Sequence, residues 1–203
     1  MGVSIEKMNK LLFGIEEEPL PDISGLTYVP DFISAEEERA LIVQIDALPW
    51  LHDLKRRVQH YGYKYDYKAR AVTADSYLGP LPEWVSMVSE RLVRKKIFSK
   101  SPEQLIVNDY LPGQGISAHI DCVPCFGDTI ASVSLNSGVI MQFSKGGQRQ
   151  EIYLKPRSLV LFSGSARYDW AHAIPARKSD SVGGFKIMRE RRISLTFRTM
   201  ILN

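Results

Sequence analysis

At 203 residues, 44% hydrophobic, 24% charged and 10% aromatic, the chain has the composition of an ordinary globule with room for one domain and a substantial core. No stretch approaches the ~18 uninterrupted apolar residues of a membrane span, and the first residues show no secretory-signal pattern, so the expected setting is the cytoplasm, or the nucleus in a eukaryote, without a membrane partner. The net charge of +3 is modest, and only two cysteines argue against a disulfide-stapled secreted fold and fit a reducing compartment.

In chain order, residues 1–27 read as a loose arm. The stretch "ISAEEERALIVQIDAL" then places Ser34 three residues before Glu37, a capping-box pattern, and continues with Leu41, Ile45 and Leu48 at helical spacing until Pro49 stops it. The segment 52–70, "HDLKRRVQHYGYKYDYKAR", carries Lys55, Arg56, Arg57, Lys64, Lys68 and Arg70 against Asp53 and Asp66, with Tyr61, Tyr63, Tyr65 and Tyr67 interleaved. Cations for phosphates and rings for bases make a nucleic-acid surface; a solvated edge strand with packed tyrosines is the competing reading. A second helix fits "PEWVSMVSERLVRKKIF", opened by Pro82, with Trp84, Val85, Val88, Leu92 and Val93 on one face.

After Pro102 the pattern alternates. "LIVNDYL", "TIASVSLN", "GVIMQF", "QEIYLK", "SLVLFS" and "RISLTFRTMI" are short strands between turn residues, with no helices between them, which reads as a β-sandwich or jelly roll. The fold class expected is therefore α+β, a jelly roll with two N-terminal supporting helices. No repeat or linker divides the chain, and a monomer is expected.

Chemistry concentrates in "GISAHIDCVPCF". Cys122 and Cys125 have the spacing of a thioredoxin pair, but turn and strand follow where the activating helix belongs, and no further Cys completes a zinc site. The two thiols read as incidental, although neighbours of a metal are open to oxidation by it. His119 and Asp121 point the same way on a strand and can hold one ion from one side, and His172, in the strand-like "RYDWAHAI", is a third ligand from afar. Two imidazoles and a carboxylate form the facial triad of non-haem Fe(II) oxygenases, with zinc the rival metal.

In "RRISLTFRTM", Arg192, Ser194, Thr196 and Arg198 share one parity while Ile193, Leu195 and Phe197 share the other. One face is core and the other polar. At about 3.3 Å per residue the two arginines lie roughly 20 Å apart, so both meet a small dianion only if their side chains converge or the strand curves. Asn108 and Tyr110 form a matching pair upstream.

The order N-x-Y, P-G-x-x-I-x-x-H-x-D, R-Y-x-W-x-H and R-x-x-x-x-x-R resembles the AlkB family of Fe(II)- and 2-oxoglutarate-dependent dioxygenases over residues 28 to 200. The strongest likeness is to the branch of the animal tRNA wobble-uridine hydroxylase. The resemblance implies a double-stranded β-helix over 28–203, with a jelly-roll core at about 103–200 and a nucleotide-recognition lid at about 52–75. It implies His119, Asp121 and His172 as iron ligands, and Arg192 with Tyr110 on the distal carboxylate of 2-oxoglutarate. Asn108 and Arg198 fall near its chelating end, and Ser194 takes another co-substrate position. Fe(II), 2-oxoglutarate and O2 are the implied cofactors, and DNA, RNA or tRNA the implied partner. Oxidation at a carbon on a base nitrogen ends in demethylation, and at a carbon on carbon in a stable hydroxyl.

Within the lid, Arg56, Arg57, His60, Tyr61 and Tyr63 are the candidate substrate residues, with His60 and Tyr61 first, while Arg167 and Tyr168 read as pocket supports. Val123 stands where the repair members carry an acidic residue suited to a cationic methylated base, which weakens the repair reading. The accessory domains of the hydroxylase branch have no counterpart in these 203 residues, so a stand-alone catalytic module is expected. A protein-directed oxygenase and a non-catalytic nucleic-acid-binding β-sandwich are the alternatives.

Overall fold

The structure is a computed structural model that describes residues 20–52, 54–69 and 71–201. Most of the arm read at 1–27 lies outside them, as do Asp53 and Arg70. The described chain begins its regular structure with β1 (Leu26–Val29), α1 (Ala35–Asp46), β2 (Arg57–Tyr61) and α2 (Ser86–Arg94). The barrel strands follow as β3 (Gln104–Tyr110), β4 (Ile116–His119), β5 (Phe126–Asn136), β6 (Val139–Lys145), β7 (Gln148–Leu154) and β8 (Leu159–Phe162). Next come the short α3 (Gly164–Tyr168), β9 (Ala171–Ile174), β10 (Ser179–Val182), β11 (Phe185–Met188) and β12 (Arg192–Met200). Among the described residues no helix is long and apolar enough to cross a membrane.

Two sheets make the jelly roll. One has six strands in the order β1-β8-β5-β12-β3-β2, and the other has four in the order β4-β9-β6-β7. Strict alternation on the central strands produces three layers. Leu105 and Val107 of β3, Val133 and Leu135 of β5, and Ile193, Leu195 and Phe197 of β12 pack against Leu41 and Ile45 of α1 and Val88 and Leu92 of α2. The opposite faces of the same strands look into the space between the sheets, where Ile130 and Phe162 meet Val139, Met141, Phe143 and Ile174.

The supporting helices form where the sequence places them. Ser34 accepts the Glu37 N–H at 3.2 Å, and the Glu37 carboxylate returns a bond to the Ser34 N–H at 2.8 Å, completing the box. A turn of 3-10 helix at Glu83–Val85 leads into α2 behind Pro82.

Three local readings differ from what forms. Leu26 and Thr27, inside the span read as an arm, belong to β1 because their backbones pair with Phe162 and Leu161. Arg167 and Tyr168 lie in α3, not in a strand, so one short helix does interrupt the strand series. The hairpin β10–β11 carries polar and exposed apolar residues mixed on both faces, and so gave no alternating signal.

Candidate active site

A cavity of about 590 Å³ opens between the sheets and is lined from both. His119 ends β4 and His172 lies on β9; the two are opposed across the antiparallel pair, with ring centroids 4.4 Å apart. The His119 Nδ1–H donates to the Ser117 carbonyl at 2.8 Å. A carbonyl only accepts, so Nδ1 carries a proton and Nε2 is the ring atom that would be left to meet a metal. Phe162 stacks on His172 at 4.9 Å and fixes its plane.

Asp121 follows β4 and is buried. Its Oδ1 accepts from Arg198 Nη2 at 2.9 Å. Burial pulls its pKa up, but Arg198, His172, His119 and Arg167 outweigh that and hold the carboxyl at about 2. Burial pushes His172 the other way, down to about 4, in spite of Asp121. At neutral pH the site thus offers His172 as a neutral imidazole beside the Asp121 carboxylate. Among the described residues these side chains are not closed into a ligating cluster.

Arg192 lines the same cavity six residues before Arg198. Arg192 is 3% exposed, donates Nη2–H to Ser134 Oγ at 2.8 Å, and has its Nε and Nη1 buried without a partner. Burial lowers its pKa to about 10, only partly offset by Tyr110. Two guanidinium nitrogens whose N–H donors are unpaired in a buried recess are suited to receive a carboxylate, the acceptor they lack. Arg198 is placed differently, between Gln104 Oε1 at 3.0 Å and Asp121. Ser194 and Tyr110 both line the cavity. Asn108 lines it too, with its Oδ1 taken by Arg56 Nε at 2.8 Å. The donor set and the orphaned Arg192 groups fit ferrous iron and a 2-oxoacid dicarboxylate.

The lid residues separate by strand parity. Arg56 faces the cavity with its guanidinium 5.6 Å from the Tyr110 ring centroid. Arg57 and Tyr61 face the helix layer instead. Arg57 pairs with buried Asp109 at 2.5 Å and lies over Trp50, while Tyr61 packs edge-on against Trp84 and donates to Gln59. His60 is buried edge-on to Tyr67, and Tyr63 lies against Tyr77 outside the cavity. Val123 is exposed and does not line it. Of the candidate substrate residues, only Arg56 is brought to the cavity wall.

Lys55, Tyr65 and Tyr67 also line it. Their charges and rings were visible in the sequence, but their parity matched that of tyrosines that face elsewhere. Ser134, which holds Arg192, was signalled by the polar parity of Ser132 and Ser134 in β5. Arg167, buried in α3, donates to the carbonyls of Asp121 at 2.9 Å, Cys122 at 3.1 Å and Phe126 at 3.4 Å. Cys122 and Cys125, read as incidental, are joined in a disulfide.

The model of the 2OG-Fe(II) oxygenase superfamily matches residues 25–198. The chain is 40% identical over 202 residues to the Arabidopsis thaliana "Alkylated DNA repair protein ALKBH8 homolog", covering 87% of this chain and 58% of that protein. It is 38% identical over 190 residues to the Mus musculus "tRNA (carboxymethyluridine(34)-5-O)-methyltransferase ALKBH8", covering 88% of this chain and 28% of that protein. It therefore spans little more than half of one relative and under a third of the other. The solved structure of OsALKBH1 superimposes with a TM-score of 0.64 at 17% identity, over 86% of this chain and 98% of that one. Sequence and fold thus agree: the chain belongs to the 2OG-Fe(II) oxygenase superfamily, among the AlkB homologues, and is a dioxygenase.

Proposed function

We propose that this dioxygenase oxidises a modified base presented singly by RNA or DNA, with tRNA favoured, and that the base is neutral or anionic, not cationic. The observation that carries this reading is the make-up of one cavity. His119, Asp121, His172 and the open Arg192 recess share it with Lys55, Arg56, Tyr65 and Tyr67. Of the four cationic side chains in its lining, Arg198 is paired with Asp121 and Arg192 would be taken by the co-substrate carboxylate, so Lys55 and Arg56 are the charges left to meet a base. Arg56 meets a neutral amide, and among the described residues no carboxylate pairs with it. Such a field repels a positively charged methylated base and accommodates a neutral or carboxylate-bearing one.

Bound ferrous iron, with 2-oxoglutarate and O2, supplies an oxidant able to break a C–H bond, releasing succinate and CO2. His119, Asp121 and His172 would hold the metal. Arg192 would grip the distal carboxylate of the co-substrate through Nε and Nη1, kept in place by Ser134. Arg198 orients the Asp121 carboxylate and keeps it ionised. Tyr65 and Tyr67 offer faces for a base, and Lys55 a cation for its phosphate.

The test is a turnover comparison among RNA oligonucleotides carrying a cationic methylated adenine, a neutral methylated adenine, or a uridine with a neutral or anionic substituent. Preference for the neutral or anionic bases is expected. Preference for the cationic base would overturn the charge argument.

A further inference from the structure

Cys122 and Cys125 close a tight turn directly after Asp121, with Cα atoms 5.3 Å apart. Cys122 lines the same cavity as His119, Asp121 and His172, while Val123 and Pro124 at the tip of the turn are exposed. The turn is held from outside by contacts that do not involve sulfur. Arg167 grips the carbonyls of Asp121, Cys122 and Phe126, the Ile201 N–H donates to the Cys125 carbonyl at 2.9 Å, and the Cys125 N–H donates to the Cys122 carbonyl at 3.3 Å. These contacts fix the backbone of the turn, and with it Asp121, independently of the S–S bond. As a staple the bond does little, because a sequence separation of 3 closes a very short loop and the stabilisation from cross-linking grows with loop length.

We propose that the dithiol form of Cys122 and Cys125 is the built-in reductant of this active site, used when 2-oxoglutarate is consumed with no base in the cavity. The proposal rests on the oxygenase reading of the same site. In such a turnover one atom of O2 enters succinate as the C1 carboxyl of 2-oxoglutarate leaves as CO2. With no C–H bond to attack, the two S–H groups would supply the two electrons and two protons that reduce the second atom. It leaves as water, and an S–S bond forms. The sum is 2-oxoglutarate, O2 and two thiols giving succinate, CO2, water and one disulfide. Cys125 is buried, so an external thiol or dithiol would restore the pair by exchange at partly exposed Cys122. Without the pair, the same oxidising equivalent falls on the rings nearest the site, with Tyr65, Tyr67 and Phe126 in the cavity wall.

The experiment uses the full chain, reduced and freed of external thiol, with Fe(II), 2-oxoglutarate and O2 but no nucleic acid and no ascorbate. Succinate is measured beside the thiol count by alkylation and mass spectrometry. The expected result is one disulfide formed per succinate in the first turnover, and no thiol loss when 2-oxoglutarate is omitted. In Cys125→Ser, which cannot close the pair, mass gains of one oxygen on cavity aromatic residues should accumulate several-fold faster than in wild type. The wild-type thiol count stands by itself if that variant does not fold. Succinate formed with both thiols intact, or thiol loss that ignores 2-oxoglutarate, overturns the proposal while leaving the oxygenase in place. No succinate in any arm overturns the oxygenase reading and the proposal with it.

Discussion

Arg198 donates to the Asp121 carboxylate at 2.9 Å from a strand seventy-seven residues further along the chain. This pairing ties β12, the strand that carries Arg192, to the turn that carries Asp121, the carboxylate proposed to hold the metal. The two halves of the site are set by one buried ion pair. Removing one partner of such a pair leaves the other charge buried and uncompensated, at a cost of about 3–5 kcal/mol. Arg198→Met should therefore lower stability and weaken metal binding together, read as a fall in melting temperature and a rise in the Kd for Co(II) used as an iron substitute.

Arg192 makes a separate prediction, because its Nε and Nη1 are buried without a partner while its Nη2 is bonded to Ser134. Hydrogen bonds to a charged group contribute about 1.5–3 kcal/mol each, so Arg192→Ala should raise the KM for 2-oxoglutarate about 10- to 100-fold or more. Metal affinity should stay near that of wild type. Steady-state kinetics against 2-oxoglutarate, beside Co(II) titration, separates the two.

Neighbouring arginines on the lid should behave as opposites. Arg57→Ala loses the pair with buried Asp109 and the Trp50 contact, which should cost about 1–2 kcal/mol of stability and leave the KM for nucleic acid unchanged. Arg56→Ala should raise that KM and flatten its salt dependence. Equal effects of the two on substrate KM would contradict the parity argument.

In the metal-free chain, burial holds His172 at about 4 against an ordinary value of 6.5. Between those values the unfolded chain takes up a proton that the folded chain does not, so stability rises with pH across that window. Acidification from pH 6.5 to 4 should remove on the order of 3 kcal/mol through this group. Denaturant midpoints for the apoprotein should fall across that range, and His172→Phe should reduce the slope.

Much of this was legible in the sequence because strands obey a period of two. The parity of Arg192, Ser194, Thr196 and Arg198 against Ile193, Leu195 and Phe197 gave both the core face and the cavity face of β12. The Ser34–Glu37 box gave the first helix. The same rule was not pressed on 52–70, where Arg56 and Arg57, adjacent in sequence, point into different layers. Tyr65 and Tyr67 lie beyond Gly62, where the chain leaves β2 and parity with Tyr61 no longer says which way a ring faces. The Cys122–Cys125 bond was not legible either, since its pairing depends on a turn that Arg167 braces from forty-five residues away in sequence.

The most direct test is succinate release by the purified chain with Fe(II), 2-oxoglutarate and O2, with and without bulk tRNA and synthetic modified RNA, using His119→Ala as the control. The account predicts succinate that rises with intact nucleic acid and is lost in the variant, together with a base that gains one oxygen or releases an aldehyde. Succinate indifferent to every nucleic acid, with no change in any base, would contradict it and turn attention to protein substrates.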